Sequence, residues 1–336
     1  MAIRIDNKPS LSVLVTCHDR RDYILGAVKS VIEQTVDRSV YEIIVSKNFK
    51  DPQIDRFLIA NGCKLIYDEK SGIGMRLAGL VEASSSDLLV FLEDDDRFEK
   101  EKLEYVLDVF ESPEVNYFHN GYRIVDYKNT LLSTNEVNYC RDLSIYSTPT
   151  TSFGVIRKLF IQNAFFSMSN ISIRKSLILS SLDTMRKITV GPDIFMFLMA
   201  SQSTGTLAVS CFPLTEWMLH ESTSVAAGGK VKFLVKRRLF WSQVISDLEN
   251  CSSIISNVNS RKLLKCLYSE AVTHNFILGQ LKAHKLVMVY DTAKGFVLLR
   301  TKRALLVFLL SLGGSISQKI SLTIYSAFLL RKSPKS

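Results

Sequence analysis

The chain has 336 residues, enough for one large domain or two smaller domains with a substantial core. Hydrophobic residues make up 47% of it and charged residues 22%, so the composition excludes an intrinsically disordered chain. The net charge of +9 is unevenly distributed, because residues 230–336 contain 18 basic and 4 acidic side chains. Residues 1–229 contain 24 basic and 29 acidic side chains, so an acidic body precedes a basic part that should attract anions.

Six cysteines are scattered along the chain without the CxxC spacing of a metal or redox site. We therefore expect free thiols in a reducing compartment. The first residues, MAIRIDNKPSLSVLV, lack the shape of a signal peptide, because their apolar run is short and is better explained as a first strand. Together these observations predict a cytoplasmic protein.

Short apolar segments alternate with amphipathic segments over the first 110 residues. Strands are predicted at 11–16, 41–45, 63–67 and 88–92, and helices at 23–34, 54–60, 75–83 and 102–110. This alternation indicates an α/β fold with a mostly parallel sheet and helices on both faces. After residue 116 the pattern becomes irregular, and from residue 230 basic helices follow. We predict an α/β domain over 1–229 and a basic helical region over 230–336.

Polar side chains follow three of the predicted strands, at residues 18–20, 46–48 and 93–96. Ligands of parallel sheets bind beyond the carboxyl ends of the strands, so we expect these segments to converge on one site. The last segment is the acidic cluster Glu93-Asp94-Asp95-Asp96, whose four carboxylates repel one another unless a cation or water compensates. Carboxylate oxygens suit Mg²⁺ or Mn²⁺. The alternative is a solvated acidic turn at a helix start.

The first 100 residues resemble the family-2 inverting glycosyltransferases, which have the GT-A fold. The segment FLEDDD is similar to the family's Asp-x-Asp metal motif, with Glu93 and Asp95 at its two acidic positions. The resemblance implies that Asp95 binds the metal and that Glu93 contacts the metal or the ribose. Glu93 departs from the motif, which has aspartate there. SVLVTCHDRRDYILGAVKSVIEQT resembles the family's first strand, turn and helix, and Arg76 and Gly79 fit its next helix.

The same resemblance implies a nucleotide-sugar donor and a divalent cation. The residues expected to contact the donor are Thr16, His18, Arg20, Lys47, Asn48, Arg76, Glu93, Asp94 and His220. The family's second strand usually ends in Asp-Asp, but here Lys47 and Asn48 follow Ser46. Asn48 is a candidate for contact with the base and Lys47 for contact with a phosphate, and the base preference stays open.

GPDIFMFLMA resembles the family segment that carries the catalytic base, which assigns this role to Asp193. The alternative is a first-turn acid, because Pro192-Asp193 is also a good helix start. LHESTS resembles a later family segment, in which His220 contacts the metal or the diphosphate. A purely structural histidine is the alternative there. These residues imply an inverting transfer of a sugar to an acceptor hydroxyl, which Asp193 deprotonates.

The apolar runs at 304–316 and 320–330 are each shorter than the about 20 residues of a membrane span and are flanked by Lys and Arg. They favour helices on an anionic membrane surface, at the cytoplasmic face, which would suit an acceptor glycan or lipid-linked sugar. A packed core, a homo-oligomer interface and true spans are the alternatives. Nucleic-acid binding is not expected, because the aromatic residues lie within apolar runs. A polyprenyl-phosphate sugar synthase and a non-catalytic membrane-binding protein stay open as other functions.

Overall fold

The computed structural model describes residues 9–69, 72–126, 130–135, 143–147, 152–219, 229–279, 285–317, 321–323 and 325. The chain divides into two compact units. The first, which we call the α/β unit, comprises Met1–Thr151, Lys158–Ile188 and Pro192–Leu219. The second, the helical unit, comprises Ser152–Arg157, Thr189–Gly191 and His220–Ser336.

Ten strands form one sheet within the described ranges. They are β1 (Leu11–Cys17), β2 (Tyr41–Lys47), β3 (Cys63–Tyr67), β4 (Leu88–Glu93), β5 (Arg97–Phe98), β6 (Val115–Asp126), β7 (Leu131–Asn135), β8 (Ser144–Ser147), β9 (Ile171–Arg174) and β10 (Thr206–Leu219). Their order is β3-β2-β1-β4-β9-β6-β10-β5, with β7 beside β6 and β8 beside β10. Strands β3, β2, β1 and β4 are parallel, whereas β9 runs antiparallel to both β4 and β6.

Helices follow most of the strands. They are α1 (Arg21–Ile32), α2 (Pro52–Ala60), α3 (Ile73–Ala83), α4 (Lys102–Phe110), α5 (Phe153–Ile161), α6 (Ser176–Leu179), α7 (Leu182–Met185), α8 (Pro192–Gln202), α9 (Gly229–Ser252), α10 (Val258–Ile277), α11 (Lys285–Leu299) and α12 (Lys302–Ile316). Short 3₁₀ helices lie at Arg38–Val40 and Met168–Asn170. The predicted α/β fold with a mostly parallel sheet, followed by a helical C-terminal region, is confirmed.

The core of the α/β unit explains why the first strands were easy to recognise. Val13, Ile43 and Val90 on the central strands have no exposed surface, because helices cover a parallel sheet on both sides. Continuous apolar runs are the sequence pattern of such strands. Helix α2 begins two residues before the predicted start at residue 54, because Asp51 caps it and Pro52 occupies its first turn.

Buried polar contacts hold the helical unit together. The Trp241 and His274 rings stack with their centroids 4.3 Å apart, and Arg303 Nε lies 2.8 Å from the buried carboxylate of Glu270. Asp247 on α9 accepts backbone hydrogen bonds of 2.8–3.0 Å from the residues 189–191 of the same unit. Within the ranges that the structure describes, no helix combines the length and the hydrophobicity that a membrane crossing needs.

Candidate active site

The carboxyl ends of β1, β2 and β4 lie side by side. Thr16 is paired in register with both Ser46 and Glu93, and Cys17 is paired with Lys47. The sheet therefore brings together, at one edge, polar residues that are up to 77 positions apart in the sequence. This is the edge where parallel sheets bind ligands.

The turn after β1 contacts the acidic cluster directly. The His18 backbone N–H donates to Asp94 Oδ2 over 3.1 Å, and Arg20 Nη1 lies 3.3 Å from Asp94 Oδ1. Arg20 also forms a close ion pair with Asp95. Burial disfavours the charge of Arg20, but Asp95, Asp94 and Glu93 together raise its pKa. Arg20 is thus the cation that compensates the two middle carboxylates.

Ser167 connects the other acidic side chains, and the sequence analysis did not identify it. Its hydroxyl lies 3.2 Å from Glu93 Oε2 and 3.4 Å from Asp96 Oδ2, and its backbone N–H acts to lower the pKa of Asp193. Ser167 has a φ of 62°, in the region that favours glycine. Strained non-glycine residues of this kind are found at functional sites. The only available sequence signal was its position in the segment SMSNISIRKS.

The pKa values of the acidic side chains report a crowded, poorly solvated cluster. Burial, followed by the nearby charges of Asp96, Asp95 and Asp193, raises the pKa of Glu93 well above its ordinary value. Burial and Asp95 raise the pKa of Asp94 to about 6, although Arg20 opposes the shift. Burial raises the pKa of Asp193 to about 6, despite backbone hydrogen bonds that favour ionisation. The effect of the Asp193 charge on the pKa of Glu93 indicates that the predicted base lies near the predicted metal motif.

Asp193 occupies the first-turn position that its sequence allowed, and its catalytic role stays a prediction. It is the second residue of α8, directly after Pro192, and its Oδ1 accepts the Ile194 N–H over 2.8 Å. It is therefore a first-turn acid of a helix. The same carboxylate also raises the pKa of Glu93, so it faces the acidic cluster.

Lys102 is a second residue that the sequence analysis missed. Its side chain is fully buried at the start of α4, where Nζ lies 2.9 Å from Thr215 Oγ1 and donates to the Ser169 carbonyl. Burial lowers its pKa well below the ordinary value, and the carboxylate of Asp96 opposes that shift. Lys102 therefore supports Asp96 from inside the fold. In the sequence it resembles an ordinary exposed lysine of a first helical turn.

The structure places Lys47 differently from the prediction. Its ammonium is 2% exposed and forms a 2.6 Å ion pair with Asp55 on α2. It also donates a hydrogen bond to the Phe49 carbonyl, over 2.5 Å. The predicted contact between Lys47 and a phosphate has no support in this geometry, because the charge is already paired inside the domain.

Asn48 and Arg76 lie next to the turn after β1. Asn48 Oδ1 accepts the Asp19 backbone N–H and Asn48 Nδ2 donates to Asp19 Oδ1, each over 2.9 Å. Asp19 has a φ of 59°, a conformation that aspartate tolerates better than most residues. Arg76 is buried, and burial lowers its pKa while Asp68 and Asp94 oppose the shift. His220 lies outside the described residues.

The ligand atoms of the acidic cluster suit a hard divalent cation, because Glu93 and Asp95 offer carboxylate oxygens. Mg²⁺ is commonly held by one or two carboxylates together with substrate phosphates. Among the residues whose placement is described, no three His, Cys, Asp or Glu side chains gather closely enough to hold an ion by themselves.

Comparisons with solved structures support this fold. The crystal structure of S. aureus TarS 1-349 in complex with UDP-GlcNAc matches with a TM-score of 0.53 and 16% identity, over 91% of this chain and 92% of that chain. The complex of the same protein with UDP matches with a TM-score of 0.51 and 13% identity, over 91% and 92% of the two chains. No curated protein sequence matches. Identities this low support similarity of fold alone.

The profile described as Glycosyl transferase family 2 matches residues 12–179. This segment is half of the chain and contains the turn after β1, the acidic cluster and Ser167. The match agrees with the geometry above, in which these parts meet at one edge of the sheet. The chain belongs to glycosyl transferase family 2 and is a glycosyltransferase.

Proposed function

We propose that this protein is an inverting glycosyltransferase that moves a sugar from a nucleotide-sugar to an acceptor hydroxyl, with Asp193 as the catalytic base. The observation that carries the proposal is the arrangement at the edge where β1, β2 and β4 end. Ser167 lies 3.2 Å from Glu93 there, and the charge of Asp193 acts on Glu93. An acceptor hydroxyl beside Asp193 could attack a sugar whose diphosphate lies at the acidic cluster. A single displacement of this kind inverts the anomeric carbon.

The donor nucleotide is proposed to lie against the turn after β1. Thr16, His18 and Asn48 offer polar groups there, and Arg76 lies close by in the interior. The TarS structures contain UDP-GlcNAc or UDP, which makes UDP-GlcNAc the first donor to test. Asn48 and Asp19 already bond to each other, so contact with a base requires that they exchange this pair or use their remaining hydrogen-bonding groups.

Each step of the transfer needs a group that this chain supplies. Asp193 accepts the proton from the acceptor oxygen as that oxygen attacks the anomeric carbon. The Ser167 hydroxyl lies 3.2 Å from Glu93, and the Ser167 backbone N–H favours the ionised form of Asp193 that accepts the proton. Arg20 supplies positive charge beside Asp94 and Asp95, where the diphosphate would leave.

We also propose that Asp95 and Glu93 hold a divalent cation, Mn²⁺ or Mg²⁺, with His220 as a further candidate ligand. When bound, such an ion acts as a Lewis acid that stabilises the charge of the departing diphosphate. The support is the chemistry of the two carboxylates and the raised pKa of Glu93, which shows how unfavourable the cluster is without compensation.

The test is hydrolysis and transfer with UDP-GlcNAc and other UDP-, GDP- and TDP-sugars, each with Mn²⁺, Mg²⁺ or EDTA. We expect Asp193→Asn to lower turnover by at least about a hundredfold, as the loss of a general base does. Asp95→Asn should abolish the increase in turnover that Mn²⁺ or Mg²⁺ gives to the wild type. Asp108→Asn, an exposed carboxyl of α4, is the control and should keep wild-type turnover. No turnover or binding with any donor would contradict the enzyme proposal, and full activity in EDTA would contradict its metal part.

A second proposal concerns where the enzyme works. Leu305, Leu309 and Ile316 are spaced along one face of α12 and are 38%, 53% and 83% exposed. Lys302 and Arg303 lie at the start of the same helix. An apolar face beside basic residues is typical of helices that lie on an anionic membrane, where a glycan or lipid-linked sugar would be met as acceptor.

Flotation of the full-length protein with vesicles rich in phosphatidylglycerol tests this proposal. We expect the wild type to float with anionic vesicles and Leu309→Ser/Ile316→Ser to float less. The double variant Leu131→Ser/Leu132→Ser, which removes exposed leucines of β7, is the control. Equal flotation of all three proteins would reject the α12 face, and a concentration-dependent dimer lost only in the α12 variant would identify a self-association surface instead.

A further inference from the structure

Helices α9, α10 and α11 of the helical unit enclose a cleft, which we call the α9–α11 cleft. Its volume is about 1170 Å³, slightly above the usual range of about 300–1,000 Å³ for ligand pockets. Its floor is buried and mainly apolar, formed by Leu248, Leu264, Cys266 and Gly295. No part of the proposed transfer reaction uses this space.

The rim of the cleft is basic. Four exposed cationic side chains, Arg261, Lys262, Lys265 and Lys294, surround it. The side chain of Lys265 forms no hydrogen bond or ion pair with any residue that the structure describes.

Two acids also line the cleft, but they only partly offset this charge. Glu249 accepts a hydrogen bond from the Tyr268 hydroxyl over 2.9 Å, and Asp291 lies near Lys294. Four cationic side chains against two carboxylates leave the rim net positive. A ligand that complements this cleft has an apolar body and an anionic end.

Gly295 gives an independent reason to regard the cleft as a site. It lies inside α11, where glycine costs about 1 kcal/mol relative to alanine. Packing does not require it, because a Cβ at this position would lie 3.7 Å from Ser269 Oγ and 3.9 Å from Cys266 Sγ, which are ordinary contact distances. The glycine therefore keeps open a space that alanine could occupy at no steric cost.

We propose that the α9–α11 cleft binds one anionic amphiphile, a hydrocarbon chain that carries a terminal phosphate. The chain lies on the floor beside Gly295, and the phosphate meets the basic rim at Lys265 and Lys294. A phosphate is favoured over a carboxylate because several lysines and an arginine can share its two negative charges. The cleft shares no residue with the proposed transferase centre, and the proposal does not depend on the proposed activity.

Calorimetric titration of the full-length protein with dodecyl phosphate, below its micellar concentration, tests the proposal. Three further titrations separate the parts of the ligand: dodecanol has the chain alone, inorganic phosphate has the head alone, and dodecanoate has a different anion. We expect one dodecyl phosphate per chain, with affinity at least about tenfold above that of each other probe. Equal affinity for inorganic phosphate or for dodecanol would overturn the proposal.

Variants of the cleft complete the test. Gly295→Leu fills the floor and should lower the affinity for dodecyl phosphate by more than about tenfold, and Lys265→Glu should lower it several-fold. Gly295→Ala should raise the thermal midpoint while it weakens binding, so a poorly folding Gly295→Leu leaves the proposal testable. Lys285→Glu, an exposed lysine of α11 outside the cleft, is the charge control. Wild-type affinity in both Gly295 variants would overturn the proposal, whatever the donor-hydrolysis activity.

Discussion

Ser167 gives the sharpest prediction about the active site, because its backbone is strained and its hydroxyl reaches two carboxyls. Its φ is 62° and its ψ is 128°, where a residue with a Cβ costs on the order of 1–3 kcal/mol. Ser167→Gly removes this cost, whereas Ser167→Ala retains it. Both substitutions remove the hydroxyl that lies 3.2 Å from Glu93 and 3.4 Å from Asp96.

The two variants should therefore differ in stability but not in activity. After allowance for the greater freedom of unfolded glycine, Ser167→Gly should be about 1–2 kcal/mol more stable than Ser167→Ala. A hydrogen bond to a charged group contributes about 1.5–3 kcal/mol, which corresponds to about a ten- to hundredfold change in rate. We expect donor turnover to fall by that factor in both variants.

Urea unfolding measures the stability difference, with equal m-values showing that the variants unfold in the same way. Donor hydrolysis measures the activity. Ser172 provides the control, because it is buried on β9 and no partner for its hydroxyl is found among the described residues. There the glycine variant should be less stable than the alanine variant by about 1 kcal/mol. The same order at Ser167 would refute the strain argument, and undiminished turnover would refute the role of its hydroxyl.

Two further predictions concern the stability of the α/β unit. A Cβ on Gly74 would lie 2.0 Å from the Met185 carbonyl oxygen, so Gly74→Ala should lower the unfolding free energy by about 1–3 kcal/mol. Gly79→Ala, with no atom within 4 Å of its Cβ, should raise it by up to about 1 kcal/mol, and equal urea midpoints would contradict this difference. Burial opposes the ionisation of Glu42, but hydrogen bonds from Lys64 and two serines outweigh it and lower the pKa of Glu42 to about 2. Its stabilisation is therefore present above the ordinary pKa of 4.5 and is lost as the pH falls towards 2, so unfolding free energy should decline more steeply between about pH 5 and 3 in the wild type than in Glu42→Gln.

The sequence was sufficient for the part of the fold that depends on local pattern. The strand predicted at 11–16 is found at Leu11–Cys17, and the one predicted at 88–92 is found at Leu88–Glu93. Both are apolar runs buried on two sides, which leave a continuous signal in the sequence. The insertion of β9 between β4 and β6 leaves no such signal, because pairing between distant strands depends on their tertiary neighbours.

The same distinction explains which site residues were missed. Glu93 and Asp95 stand in a recognisable motif, but Ser167 reaches Glu93 from a segment more than 70 residues further along the chain. Lys47 was assigned to a phosphate because it stands where the family's second strand usually ends in Asp-Asp. Its actual partner, Asp55, lies on the next helix, and sequence alone does not show that this helix brings the carboxylate within 2.6 Å.

Charge balance links the proposed donor to the proposed metal. The candidate site contains five carboxyl groups, those of Glu93, Asp94, Asp95, Asp96 and Asp193. Among the described residues, the cations that act on them are Arg20, Arg76 and Lys102. Burial lowers the pKa of two of these cations, so their compensation is incomplete. A nucleoside diphosphate brings further negative charge to the same edge, and like charges in a poorly solvated site cost free energy. Donor and cation should therefore bind cooperatively, each raising the affinity for the other by the same factor. Donor affinity that is identical with Mn²⁺ and with EDTA would show that Arg20 and its neighbours suffice.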